Sequence, residues 1–449
     1  MRWLFALSLV LTVLLAGGLH ADPLVLAPKD MRHTGELALA SGKPGAALAI
    51  SNALLGRDPH DWTALLLKSR AARDLGDYAT ARKAAKAAWE TAQTPAQQYA
   101  AALARAQADA SDNRRTSAQF WLRRAVQAAP DERARQLAMR DFRYVRARNP
   151  WRFSVNAGAA PSSNINGGSS ADVLMLGAIP LELSPDAKAL SGLEGRLSLS
   201  VGRRIWETAN TLSEVGAKLS SRVYRLSDSA REKAPMARAS DYAFSEIEVY
   251  ALHKRRTSTG GEVEALLTLG HNWYGGDPLS TYAQADLSRS FALSERAVLQ
   301  LRGGVERQWR LDQAARSADV ASVGIGVQRA YATGRLSLDL DWRVVASDSI
   351  SIDHTSLDAT LGYSFGKLVA GAEVTAFASL GRRDFDASPY TVDGRHDTRA
   401  EAGVTLFFRN LDYLGFAPEL GLRASRVDSN VSLYDSSNLG ITLGFRSAF

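Results

Sequence analysis

Apolar residues recur at helical spacing as far as about residue 148 and at alternate positions from Trp151 onward. This change of period predicts a fold class of α plus transmembrane β: a helical solenoid followed by an antiparallel outer-membrane β-barrel. The solenoid reading rests on a repeat. Gly42, Ala47 and Ala53 recur 34 residues later as Gly76, Ala81 and Ala87. The barrel reading rests on the number of alternating segments and on the last of them. In residues 439–449, Leu439, Ile441, Leu443, Phe445 and Phe449 share one parity, while Gly440, Thr442, Gly444 and Arg446 share the other. A terminal strand at an open sheet edge would recruit other chains, whereas a strand that closes a barrel has no free edge. The final strand of outer-membrane barrels typically ends on an aromatic that the barrel assembly machinery reads, and by that likeness Phe445 and Phe449 are the expected assembly signal.

Residues 1–21 read as a secretory signal peptide. Arg2 precedes a Leu-rich run from Leu4 to Leu15, and small residues lead to Ala21. The run is shorter than the roughly 20 apolar residues of a comfortable membrane span. No cysteine is present, so the chain has neither disulfides nor thiolate metal sites. An exported chain of this kind is held together by packing or by a membrane. Beyond the signal no apolar run approaches the length of a transmembrane helix, so any membrane crossing is by strands. The expected organisation is a signal peptide (1–21), a periplasmic TPR-like helical domain (22–148) and an outer-membrane barrel (149–449) in contact with lipid.

Charge follows the same division. Residues 22–150 carry 21 Lys and Arg against 13 Asp and Glu, a net of +8; residues 151–449 carry 32 against 34, a net of −2. The basic character belongs to the helical region. It suits anionic lipid or an acidic partner, and an exported chain does not meet nucleic acid.

A 34-residue period with helix–turn–helix content is the signature of a tetratricopeptide repeat (TPR). Its key positions are Gly42, Gly76, Tyr78 and Ala81: glycines for the turns, and small or aromatic residues where paired helices pack. Asp58-Pro59, Thr94-Pro95 and Ala129-Pro130 fall near repeat ends, where proline stops a helix. A third unit, 97–130, fits more loosely and places Phe120 and Trp121 in its second helix. Solenoids present a concave face to extended peptides, and Arg70, Arg73, Arg105 and Gln107 are candidates to line it.

Fourteen segments then alternate: 151–159, 192–204, 212–225, 241–253, 261–271, 281–292, 296–309, 319–331, 334–346, 354–365, 368–380, 397–409, 416–427 and 438–449. Most exceed the five or six residues usual in soluble sheets, and an even count suits a single-chain bacterial barrel. Trp206, Tyr224, Tyr250, Trp273 with Tyr274, Tyr282, Phe365 and Phe416 stand near strand ends and are read as interfacial girdles. Connections alternate between short turns and long polar loops, which places the short turns on the periplasmic side.

Catalytic signals are sparse. Seven histidines are scattered without HExxH or similar spacing, and no GxSxG elbow occurs. Asp339, Asp341 and Asp348 are expected to charge a polar lumen, with Arg343 nearby, rather than to perform acid–base chemistry. No cofactor and no enzymatic activity are expected.

The most distinctive linear feature is Asn149-Pro150-Trp151, followed by Ser162-Ser163-Asn164-Ile165-Asn166 after the first strand. Pro150 ends the last helix and Trp151 can anchor a strand at an interface. The Ser/Asn segment can cap a loop with local hydrogen bonds. Signal, short TPR region, NPW junction, SSNIN loop and Phe-terminated barrel together resemble the surface lipoprotein assembly modulator (Slam) family of type XI secretion. The resemblance covers nearly the whole mature chain. It implies export or surface display of client proteins or lipoproteins, with the TPR domain engaging the client in the periplasm of a Gram-negative bacterium. It also marks Asn149, Pro150, Trp151, Asn164 and Asn166 as junction or gating candidates. A porin-like channel for small solutes and an exopolysaccharide-export barrel are the alternatives that the same architecture allows.

Overall fold

The computed structural model describes residues 26–177, 179–258 and 260–447; the expected signal peptide and Phe449 lie outside them. The chain divides into two compact units, Met1–Ala147 and Arg148–Phe449.

The described helices of the first unit are α1 (Pro28–Ala40), α2 (Pro44–Arg57), α3 (Trp62–Asp74), α4 (Tyr78–Thr91), α5 (Pro95–Ser111), α6 (Arg115–Ala128) and α7 (Glu132–Arg148). The first six make three hairpins. The hairpin turns place Gly42, Gly76 and Asn113 at φ of +70°, +82° and +56°. These are the residue types that tolerate left-handed backbone. The third hairpin departs from the 34-residue spacing because α5 has 17 residues where α1 and α3 have 13. Ala47 and Ala81, and Ala118 of the third hairpin, are fully buried, so a methyl is all that the helix crossings admit. The side chains of Asp61, Asp77 and Thr94 cap α3, α4 and α5 by accepting N–H bonds at 3.1, 3.0 and 3.2 Å.

Two buried carboxylates fasten the hairpins. Asp61 accepts from the Arg32 guanidinium at 2.8 Å, joining α3 to α1. Burial raises the Asp61 pKa, but the bonds from Arg32 and the Ala64 N–H outweigh it and hold the carboxyl below its ordinary value. Asp109, fully buried on α5, accepts from Arg105 Nε at 3.0 Å and from Ser117 Oγ of α6 at 2.8 Å, and lies 3.9 Å from Arg82 Nε of α4.

The second unit is a closed antiparallel barrel. Its strands are β1 (Trp151–Ser162), β4 (Gly192–Glu207), β5 (Thr211–Leu226), β6 (Phe244–Arg256), β7 (Glu262–Tyr274), β8 (Asp277–Ser294), β9 (Ala297–Arg310), β10 (Ala318–Tyr331), β11 (Gly334–Ser347), β12 (His354–Phe365), β13 (Glu373–Phe385), β14 (Arg395–Phe407), β15 (Phe416–Ser429) and β16 (Ser436–Ser447). All fourteen expected strands are present. Each pairs with its sequence neighbour, and β1 closes the ring by pairing with both β4 and β16. Between β1 and β4 lies a separate hairpin, β2 (Val173–Leu176) with β3 (Ile179–Glu182). This hairpin lies in a stretch expected as loop, because four-residue strands are too short for a period to show.

One parity of the strands faces outward and is apolar: Phe153, Val155, Leu267, Leu269, Leu338 and Leu340 are all exposed. The other parity faces the lumen. Tyr250 and Tyr282 belong to this inner set, not to an interfacial girdle as expected. The Tyr250 hydroxyl donates to Glu214 at 3.0 Å, and the Tyr282 hydroxyl reaches Glu246 and Glu248 at 3.0 and 2.9 Å. Each ring lies over a glycine of the adjacent strand. A Cβ on Gly216 would come within 2.5 Å of Tyr250, and one on Gly270 within 2.2 Å of Tyr282. Trp206, Phe365 and Phe416 do stand exposed near strand ends.

At the end where Trp151 enters, the turns span 208–210, 257–261, 295–296, 332–333, 366–372 and 408–415. At the far end the connections span 163–191, 227–243, 275–276, 311–317, 348–353, 386–394 and 430–435. The far-end connection between β7 and β8 is only Gly275-Gly276, at φ of +64° and +93°, where sequence reading left residues 272–280 unpaired. Two glycines at positive φ close a hairpin that a polar, aromatic stretch conceals.

The β1–β16 seam differs from the other junctions. β1 pairs with β4 along its whole length, from Trp151 opposite Arg203 to Ser162 opposite Gly192. Against β16 the ladder runs from Ala157 to Ala159 and resumes only at Ser162 opposite Gly440. Pro161 lacks an N–H to donate there. One backbone bond, from Ser163 N to Leu439 O at 3.3 Å, is joined there by side chains: Ser162 Oγ and Ser163 Oγ donate to Asn438 Oδ1 at 2.9 and 3.2 Å, and Ser163 Oγ accepts from Leu439 N at 3.0 Å.

Candidate functional site

Asn149-Pro150-Trp151 is built as a hub where the barrel begins. Asn149 Oδ1 accepts from the Trp151 N–H at 3.2 Å, which satisfies a donor at the strand start. Arg204 of β4 donates its backbone N–H to Pro150 O at 2.8 Å and its guanidinium to Asn149 O. The Arg204 guanidinium also pairs with Glu207 at 2.7 Å. The Trp151 ring stacks on Phe153 with centroids 6.2 Å apart, and the Arg203 guanidinium sits 5.3 Å from its centroid. An exposed indole flanked by a cation suits the membrane–water boundary.

Asn164 and Asn166 are not at this hub. They lie in the 163–191 loop at the opposite end of β1, whose twelve residues span about 36 Å. There they organise the loop. Asn164 bonds both the N–H and the C=O of Gly168, at 2.9 and 2.8 Å. Asn166 donates to Asp186 O and Lys188 O and accepts from Leu190 N at 2.9 Å. The same loop packs Ile165 and Leu190 against Leu226, the last residue of β5, and Ala230 of the 227–243 connection. It also packs Leu174 and Leu183 against Val431. The far end is thus a folded cap, and the five expected junction residues form two separate groups.

Ion pairs that cross between strands line the lumen. Arg152 meets Glu214 at 2.6 Å, Lys218 meets Glu248 at 2.7 Å, and Arg423 meets Glu401 at 2.9 Å. Asp339 and Asp341 are both held by Arg302, at 2.8 and 2.9 Å, rather than by Arg343. Arg302 reaches them across β10 because Gly324 and Gly326 leave no side chain in its way. Asp348 lies in the 348–353 connection, outside the strands. Among the described residues no group of three or more His, Asp or Glu side chains could hold a metal ion.

In the helical unit, Arg105 is bonded to Asp109 and lies 5.4 Å from the Trp121 ring centroid. Arg73 bonds Asp74 and Gln107. Arg70 is half-buried; burial lowers its pKa, while Glu36 acts in the opposite direction. The two aromatics of the third unit's second helix, α6, have different surroundings. Phe120 is 49% exposed, and the Arg124 guanidinium lies 4.5 Å from its ring centroid. Adjacent Trp121 is buried, and helical spacing alone distinguishes the two.

A closed barrel with an apolar outer surface and a charged inner one, preceded by TPR-like helices, defines an outer-membrane transport protein with an N-terminal region in the periplasm. Residues 151–449 match the surface lipoprotein assembly modifier family, and the chain belongs to it. No curated protein matches the chain. Among solved structures, the first TPR domain of human RPAP3 is similar at 16% identity, covering 27% of this chain and 94% of that one, with a TM-score of 0.25. A BenF-like porin from Pseudomonas fluorescens is similar at 8% identity, covering 66% and 98%, with a TM-score of 0.37. A bacterial polysaccharide outer membrane secretin is similar at 11% identity, covering 66% and 98%, with a TM-score of 0.34.

Proposed function

We propose that this protein exports client proteins or lipoproteins across the outer membrane, with the helical region engaging the client in the periplasm and the barrel supplying the path or insertion surface. The observation that carries this reading is the family match along the entire barrel. Two features of the helical region support it. Its final helix, α7, bears six arginines against Glu132 and Asp141. Phe120 with Arg124 offers an exposed aromatic–cation pair of the kind that anchors protein interfaces. The assembly machinery reads the aromatic end of the last strand, and the Asn149–Arg204 hub couples client capture to the barrel.

Deleting the gene and comparing surface-exposed and secreted proteins tests the export reading. Loss of one or a few specific proteins, restored by the wild-type gene, is the expected result. An unchanged protein surface together with altered small-solute uptake or ion conductance would replace it with a porin. Trp151→Ala should lower client display while barrel levels stay normal; wild-type display would sink the coupling role of the hub.

A further inference from the structure

The outer surface of the barrel carries a groove of about 610 Å³ at its far, extracellular end, directly over the β1–β16 seam. Its lower wall is apolar, made by Pro161, Leu193, Leu439 and Ile441, all on the outward parity. Its upper wall is polar, made by the hydroxyls of Ser163, Ser191 and Ser227 with Arg225 and Arg231. Arg231 sits on a short helix, α8 (Asp228–Lys233), that follows β5.

Arg225 is the informative residue. It shares the outward parity of Val215, Leu219 and Val223 and stands one residue before the end of β5. That places a guanidinium on the lipid side of the barrel at headgroup depth. Other outward arginines in this half are neutralised: Arg307 by Asp319 at 2.5 Å, Arg382 by Asp384 at 2.9 Å, and Arg426 by Asp428 at 2.7 Å. The Arg225 guanidinium has no hydrogen-bond or ion-pair partner among the described residues. Arg231 contacts Leu226 O at 3.2 Å and the almost fully exposed Asp228 carboxylate at 3.4 Å, which leaves its other donors available. An unpaired charge on a lipid-facing wall is costly unless an anion meets it.

We infer that this groove binds a phosphate-bearing glycolipid of the outer leaflet, lipopolysaccharide. A phosphate sits between Arg225 and Arg231, sugar hydroxyls meet the three serines, and acyl chains lie along Leu193, Leu439 and Ile441. Charge complementarity selects this occupant. The diacylglyceryl anchor of a lipoprotein client would fill the apolar wall but carries no anion for the arginines.

The test measures lipid A bound to the full chain purified in mild detergent, by native mass spectrometry and by titration. R225A/R231A should bind roughly thirty-fold more weakly, the loss expected for two cations at an anionic membrane surface. R225K/R231K should retain most of the binding, and R307A should match wild type. Heat-modifiable migration on gels reports that each variant is a folded barrel. Two results would overturn the assignment: undiminished binding by a folded R225A/R231A protein, or equal wild-type affinity for dephosphorylated lipid A.

Discussion

Replacing Asp109 by asparagine preserves volume and removes one charge from the centre of the helical region. In the native protein that carboxylate holds Arg105 at 3.0 Å and Ser117 at 2.8 Å, with Arg82 a further 3.9 Å away. Removing one partner of a buried ion pair commonly costs about 3–5 kcal/mol. The figure here belongs at or below the lower limit, for two reasons. Arg82 retains Asp112, and Arg105 retains the Arg82 carbonyl at 3.1 Å. Oδ1 of Asp109 also accepts no hydrogen bond, so the native charge is itself under-satisfied. A loss of about 2–3 kcal/mol is expected. For a helical region of this size that lowers the unfolding midpoint by roughly 8–15 °C. Far-ultraviolet ellipticity of the full chain in detergent follows the helices, while gel migration follows the barrel separately. Combining D109N with R105Q should show a coupling of about 1–2 kcal/mol. A D109N midpoint within about 2 °C of wild type would refute the view that this carboxylate fastens the hairpins.

Asp61 supplies a pH test. Its folded carboxyl lies below the unfolded value of about 3.9, so its stabilisation is complete above that pH and is lost as pH falls through the folded value. The stability gap between wild type and D61N in the helical transition should therefore be constant above about pH 5 and shrink as pH falls below about pH 4; a gap that stays constant on acidification would reject the assignment. In the barrel, G270A forces the Tyr282 ring off its seat, whereas Y282F keeps the ring and loses only hydroxyl bonds worth about 1–2 kcal/mol. G270A should reduce folded barrel on heat-modifiable gels more than Y282F does, and the reverse order would show that the cross-strand fit is unimportant.

Period carried most of the architecture. Strict alternation sets one residue in two against lipid, so all fourteen strands were legible, as were the TPR turns at Gly42 and Gly76. What alternation cannot reveal is which parity a tyrosine belongs to when both faces tolerate aromatics. Tyr250 and Tyr282 looked like girdle residues near strand ends, yet their hydroxyls require the lumen carboxylates. Asn149 and Asn164 are close in sequence, but a strand lies between them and puts them at opposite ends of the barrel. The Arg225 groove was also hidden, because its walls come from residues 161–163, 191–193, 225–231 and 439–441 and only ring closure assembles them.

Pro161 gives the cylinder a suture of its own kind. Elsewhere adjacent strands are zipped by alternate amides, so separating them means breaking a ladder rung by rung. Here the far end keeps one paired position, Ser162 opposite Gly440, and one amide bond from Ser163 N to Leu439 O at 3.3 Å; the rest of the tie is made by hydroxyls and a carboxamide, groups that can let go by turning a side chain. Closure of the ring at this point therefore rests in part on the rotamers of Ser162, Ser163 and Asn438, where a continuous ladder needs no side chain.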